Sequence, residues 1–153
     1  MLVVMRPAIL VIHPKENRAK CSLEPLRTRA EQFGLVFVEF ARSRSIDLTD
    51  YVRLCVDGPA LSAADSDRGL VVIDGSWRHA AAMQSSFAAA PPRSLIGYRT
   101  AYPRVSKLFQ DPAAGLASIE ALYIAYRILG RPTDGLLNGY RWRDEFLTLN
   151  GWV

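Results

Sequence analysis

Val71-Val72-Ile73-Asp74-Gly75-Ser76-Trp77-Arg78-His79-Ala80 is the stretch that decides the fold. A β-branched run closes on a carboxylate and a glycine. A helix opens directly behind, with Ser76 at its start and Trp77 in its first turn. A strand feeding a helix through an Asp-Gly turn is a building unit of parallel α/β sheets, and it presents functional groups at the strand's carboxyl end. Asp74 offers a base or hydrogen-bond acceptor, Gly75 a close backbone approach, Ser76 a helix N-terminus and Trp77 a flat aromatic. That set suits a small ligand, partly cationic and partly anionic, beside a nucleobase. The same residues also have ordinary uses as a turn, an N-cap and a core aromatic. Spacing alone favours the ordinary reading.

Outward from this turn, the N-terminal half alternates strands with helices. Residues 8–13 read as a buried strand, and Pro14 with residues 15–20 as a loop. Ser22 is placed to cap a helix running to about Phe33, with Glu24 in its first turn, Pro25 early and Gly34 as its C-cap. Residues 35–40 and 51–56 read as strands, and Asp57-Gly58-Pro59 breaks the second. Residues 62–65 fit one helical turn, and 70–73 a further strand. An alanine-rich helix from 76 to about 89 ends at Pro91-Pro92. The expected class is α/β, a mostly parallel sheet over residues 1–90 with a mainly helical half over 91–153, in one compact domain spanning 1–153.

In the second half, Leu95-Ile96 leads into a long polar loop, 102–115. Ser118 then starts a helix to about Leu129, whose Ile119, Leu122, Tyr123, Tyr126 and Leu129 follow helical spacing and should face the core. Gly130 and Pro132 stop it. A last helical region runs over 134–149, interrupted at Gly139.

The bulk properties bound the function classes. The chain has 153 residues, half of them apolar and about a fifth charged, which fits one soluble domain with a real core. The first five residues and the run 8–12 are too short to span a membrane, and no secretion-signal pattern is visible. Cys21 and Cys55 read as buried thiols in a reducing cytosol rather than a disulfide, so the expected location is cytoplasmic. His13 and His79 lack metal-ligand spacing, and no metal is expected. The net charge is +4, unevenly spread. From Arg78 to Lys107 the chain carries Arg78, Arg93, Arg99, Arg104 and Lys107 and no acid, with Tyr98 and Tyr102 interleaved. Such a stretch suits an RNA-facing surface, because cations neutralise phosphates and aromatics stack on bases; small phosphorylated molecules attract the same residues.

Three blocks, in this order, resemble the small-subunit rRNA aminocarboxypropyltransferases and the related DTW-domain tRNA enzymes. The first is Lys20-Cys21-Ser22, with Leu61-Ser62-Ala63-Ala64-Asp65 further on. The second is Ile73-Asp74-Gly75-Ser76-Trp77, where the rRNA branch has Asp-Cys-Ser-Trp and the DTW branch Asp-Gly-Thr-Trp. The third is Leu116-Ala117-Ser118-Ile119-Glu120-Ala121, continuing through Tyr123-Ile124, Ile128-Leu129-Gly130, Leu136-Leu137, Tyr140-Arg141-Trp142, Glu145-Phe146-Leu147 and Asn150. His13-Pro14-Lys15-Glu16 is similar to a DTW-branch segment. The cysteine cluster of that branch is missing, which puts the chain nearer the rRNA branch.

The resemblance implies a SPOUT-like fold with a trefoil knot, a monomer, and S-adenosylmethionine as cofactor. It implies transfer of the 3-amino-3-carboxypropyl group to a ring nitrogen of uridine or modified pseudouridine in RNA, rRNA rather than tRNA. A SPOUT-type methyltransferase and a catalytically silent RNA-binding module are the competing readings. On this resemblance Asp74 orients or deprotonates the acceptor N–H. Trp77 faces the sulfonium or packs the methionine portion. Ala117 and Ser118 offer a helix start to the cofactor's carboxylate, and Glu120 supports that turn or meets its ammonium. Leu116, Ser22, Ala80 and Leu95 line the same site, and the basic residues from Arg78 to Lys107 meet the RNA.

Overall fold

The computed structural model describes residues 6–15, 17, 21–42, 45–74, 77–103 and 116–152. Strands β1 (Ala8–Ile12), β2 (Leu35–Glu39), β3 (Tyr51–Leu54), β4 (Gly69–Asp74) and β5 (Pro92–Arg93) form one sheet in the order β2-β1-β4-β3-β5, every pair parallel. The central strands read AILVI and GLVVID, apolar without alternation, as strands covered on both faces must be. Ala8, Leu10, Ile12, Leu70 and Val72 face one layer; Ile9, Val11 and Val71 face the other. Gly69 opens β4 where only hydrogen fits: a Cβ there would stand 2.3 Å from the Tyr51 ring.

The first layer holds helices α2 (Ser118–Leu129) and α3 (Arg143–Leu149) and two 3-10 turns, Glu24–Arg29 and Glu31–Phe33. All five core positions expected on α2 are buried, and so are Ile124 and Ala125. Gly130 ends the helix in the left-handed conformation, φ 73°. On the second face lie Phe87 and Ala90, which follow helix α1 (Trp77–Ser86), with Ile46 and Leu48. The Arg53 guanidinium, buried on β3, donates to the carbonyls of Phe87 and Ala90 at 3.3 Å and to the Gln84 side chain. A cation at a helix C-terminus meets the negative end of its dipole, and here it seats α1 on the sheet.

Several expected elements are corrected. The helix expected from Ser22 to Phe33 is instead two 3-10 turns. Leu23 stands at the N-cap without a side-chain acceptor, and the Ser22 hydroxyl is used elsewhere. Gly34 does close the segment at φ 64°. The strand expected to 56 ends at Leu54, where the chain turns towards Asp57-Gly58. The helix expected from 76 to 89 spans Trp77–Ser86, and of the region 134–149 only Arg143–Leu149 is helix. Gly139 fits beneath Pro25, whose Cβ would lie 2.5 Å from an added Cβ. β5 was read only as a proline break. The path of 104–115, on which a knotted connection turns, lies outside the described residues.

Candidate functional site

Asp74 ends β4 beside Ile12, the last residue of β1, so two central strands finish together at the carboxyl edge of the sheet. The His13 N–H donates to the Asp74 carbonyl at 3.1 Å, extending the ladder by one bond. The Asp74 carboxylate is held from two directions. The Cys21 thiol donates to Oδ2 at 3.0 Å, and the Ser118 hydroxyl donates to Oδ1. Burial first, then the Asp74 charge and this hydrogen bond, push the Cys21 thiol up to about 12. It therefore stays protonated and serves as a donor. A carboxylate has about four acceptor sites, so these two bonds leave about two for a ligand.

The start of α2 is built from three segments of chain. Ala117, its N-cap, has no side-chain acceptor, and Ser22 supplies one from the loop after β1: its hydroxyl accepts the Ile119 N–H at 3.1 Å. Glu120 is fully buried and accepts the Thr100 hydroxyl at 2.6 Å, the Ala101 N–H at 2.9 Å and the Ala117 N–H at 2.8 Å. Its carboxylate ties segment 100–101 to the helix start. The amides of Ala117 and Ile119 are thus already used. Burial and the nearby Glu120 charge push the Tyr140 phenol upward.

The structure thus joins Ser22, Asp74, Ala117, Ser118 and Glu120 through Cys21 and the first turn of α2. Leu95 and Leu116 are half-buried against the core cluster around them. Gly75, Ser76, Lys20, Arg104 and Lys107, and the side chains of Trp77, Arg78 and Ala80, lie outside the described residues. Arg93, expected on the RNA surface, pairs with buried Asp65 at 3.2 Å and donates to the Pro92 carbonyl. Arg99 is exposed, and its backbone is gripped by Asn150, whose amide bonds both its N–H and its carbonyl at 2.8 Å.

Two features went unread in the sequence. Cys21 is the buried free thiol expected, but its bond to Asp74 is not; its place beside Ser22 in the first block was the available signal. His13 stacks on His79, centroids 3.8 Å apart and planes 14° apart, and on the Phe40 ring, centroids 6.1 Å apart. The imidazoles come from a strand end and a helix, and spacing carries no trace of their pairing. Among the described residues no group of three metal-ligating side chains assembles, and no helix is long and apolar enough to cross a membrane.

No family model and no curated protein matches the chain. Among solved structures, the fold is similar to that of the SAM-dependent rRNA:acp-transferase Tsr3 from Vulcanisaeta distributa. The TM-score is 0.69 at 22% identity, over 96% of this chain and 80% of that one.

Proposed function

We propose that this chain transfers the 3-amino-3-carboxypropyl group of S-adenosylmethionine to a ring nitrogen of uridine or a modified pseudouridine in RNA, with small-subunit rRNA as the substrate. The observation that carries the reading is the Asp74 cluster. Cys21 and Ser118, from the first and third blocks of the sequence, both bond the carboxylate of the second. The SPOUT-like knotted connection and the cytoplasmic, monomeric state belong to the same proposal. The shared fold with Tsr3, whose name states that activity, supports it.

The residues fit such a cofactor: Asp74 keeps acceptor capacity for an ammonium or a ring N–H, at the carboxyl edge where α/β sheets bind ligands. When bound, S-adenosylmethionine would supply the electrophilic carbon, its C–S bond giving way to the new N–C bond and the electron pair staying on sulfur. Asp74 orients the acceptor N–H and takes its proton. Cys21 and Ser118 fix the carboxylate's direction, and placement of the nucleophile selects which carbon reacts. Trp77, the first residue of α1, is assigned to the methionine portion.

Two measurements test this. Calorimetry of the purified protein with S-adenosylmethionine should give one binding event. Mass spectrometry of RNA incubated with both should show the mass of an aminocarboxypropyl group on uridine or pseudouridine. The mass of a methyl group would replace the proposal with methyl transfer. RNA binding with no cofactor binding would leave only a binding module.

A further inference from the structure

We infer that the cavity between segment 97–99 and the C-terminal segment binds one nucleotide of single-stranded RNA that flanks the reacting base. The inference rests on the proposed RNA substrate and assigns it a second contact. The cavity is about 420 Å³ and is lined by residues that include Tyr98, Arg99, Arg127, Leu149, Asn150 and Trp152. Its size falls among small-ligand sites.

Its chemistry is that of a nucleotide site. Arg99 and Arg127 are exposed, and among the described residues neither guanidinium has an acidic partner. Arg127 lies over the Trp152 ring, 4.5 Å from its centroid, so its guanidinium plane is held in place. Trp152 is packed in turn by Tyr98, Tyr123 and Phe146 at 5.6–5.8 Å. Asn150 fixes the Arg99 backbone, and Gly97 at φ 92° makes the turn that leads into it. The Arg127 cation is held ready for a phosphodiester, the exposed Arg99 side chain stands beside it on a fixed backbone, and the planar groups suit a base. RNA is recognised through such stacking on aromatic rings and guanidinium planes.

Position separates this site from the chemistry. Arg127 follows Ser118 by nine residues on α2, about 13 Å along the axis. A base held there cannot also reach Asp74, so the cavity takes a neighbour of the target. A mononucleotide has the same phosphate and base, and the experiment distinguishes the two sources.

Binding of a labelled short oligouridylate and of uridine monophosphate is measured against salt for the wild-type chain and for the Arg99→Gln/Arg127→Gln double variant. Thermal melts confirm the fold, and calorimetry follows S-adenosylmethionine. Loss of the phosphodiester contact should weaken the oligomer roughly tenfold and flatten its log–log salt dependence by about 0.7. Cofactor affinity should be unchanged. Oligomer affinity and salt slope equal to wild type would overturn the inference. So would a mononucleotide that binds as tightly as the oligomer and loses as much in the variant. If the wild type takes no cofactor while the oligomer result holds, the transferase proposal fails and this site stands.

Discussion

Ser22 caps helix α2 from 97 residues away: its hydroxyl accepts the Ile119 N–H that Ala117, at the N-cap, has no side chain to accept. One hydroxyl therefore joins the loop after β1 to the helix whose first residue, Ser118, bonds Asp74. Ser22→Ala should lower stability by about 1 kcal/mol in urea unfolding, while Ser22→Thr recovers most of it. Equal midpoints for wild type and Ser22→Ala would show that the bond contributes nothing.

Glu120 accepts three donors inside the core. Glu120→Gln turns one acceptor into an amide NH₂ facing another N–H, and it should cost about 1–3 kcal/mol. Glu120→Ala strands all three donors and should cost more. A glutamine variant less stable than the alanine variant would contradict the assignment of this carboxylate as the tie between 100–101 and α2.

Asp74→Asn should retain S-adenosylmethionine binding and lose roughly a hundredfold or more in transfer, as expected when a proton acceptor is removed. Trp77→Ala should show the reverse emphasis, with weakened cofactor binding in calorimetry. Melts accompany both, so that loss of the fold is told apart from loss of binding or turnover. Full transfer by Asp74→Asn would reduce Asp74 to a turn residue.

Cys21 should resist alkylation. The thiolate is the nucleophile, and raising the thiol from 9.0 to about 12 cuts its thiolate fraction about a thousandfold near neutral pH. Iodoacetamide should label half-buried Cys55 first, as read by peptide mass. Rapid labelling of Cys21 in the folded chain would contradict its bond to Asp74.

The same shift sets an alkaline dependence of stability. The folded chain keeps the Cys21 proton where the unfolded chain releases it, so stability falls as pH rises from about 9 towards about 12. Burial raises Tyr51 and Tyr126 as well, and they act in the same direction. Urea midpoints should therefore drop from about pH 8 to about pH 10.5, and less in Cys21→Ser, whose hydroxyl still donates to Asp74 without titrating. An identical drop in that variant would assign the whole effect to the tyrosines.

The parallel core was legible because AILVI and GLVVID have no polar face and can be solved only by cover on both sides. α2 was legible, since its apolar spacing begins at Ile119, behind Ser118, and stops before Gly130. β5 was not: two residues, one of them proline, carry no periodicity. The Asp74 cluster was legible in Asp74, Ser22 and Ser118, and illegible in Cys21 and in its bonds. Cys21 and Ser118 stand 53 and 44 residues from Asp74, and each contact exists only because the sheet and α2 bring three distant segments to one edge. Arg93's ion pair was not legible, because charge alone does not reveal that Asp65 meets it across the fold. The Arg127–Trp152 cavity was hidden for a similar reason: it joins a helix face to the end of the chain.

The proline in β5 has a consequence for how these molecules meet one another. β5 is the edge beside β3, and a sheet edge is a template on which a second chain can add a strand. Strands as apolar as β1 and β4 make such addition a route to aggregates. Pro92 has no N–H to offer an incoming chain, and the strand is only two residues long. The edge that grips the rest of the sheet through Arg53 and Leu54 is thereby a poor nucleus for growth in the other direction.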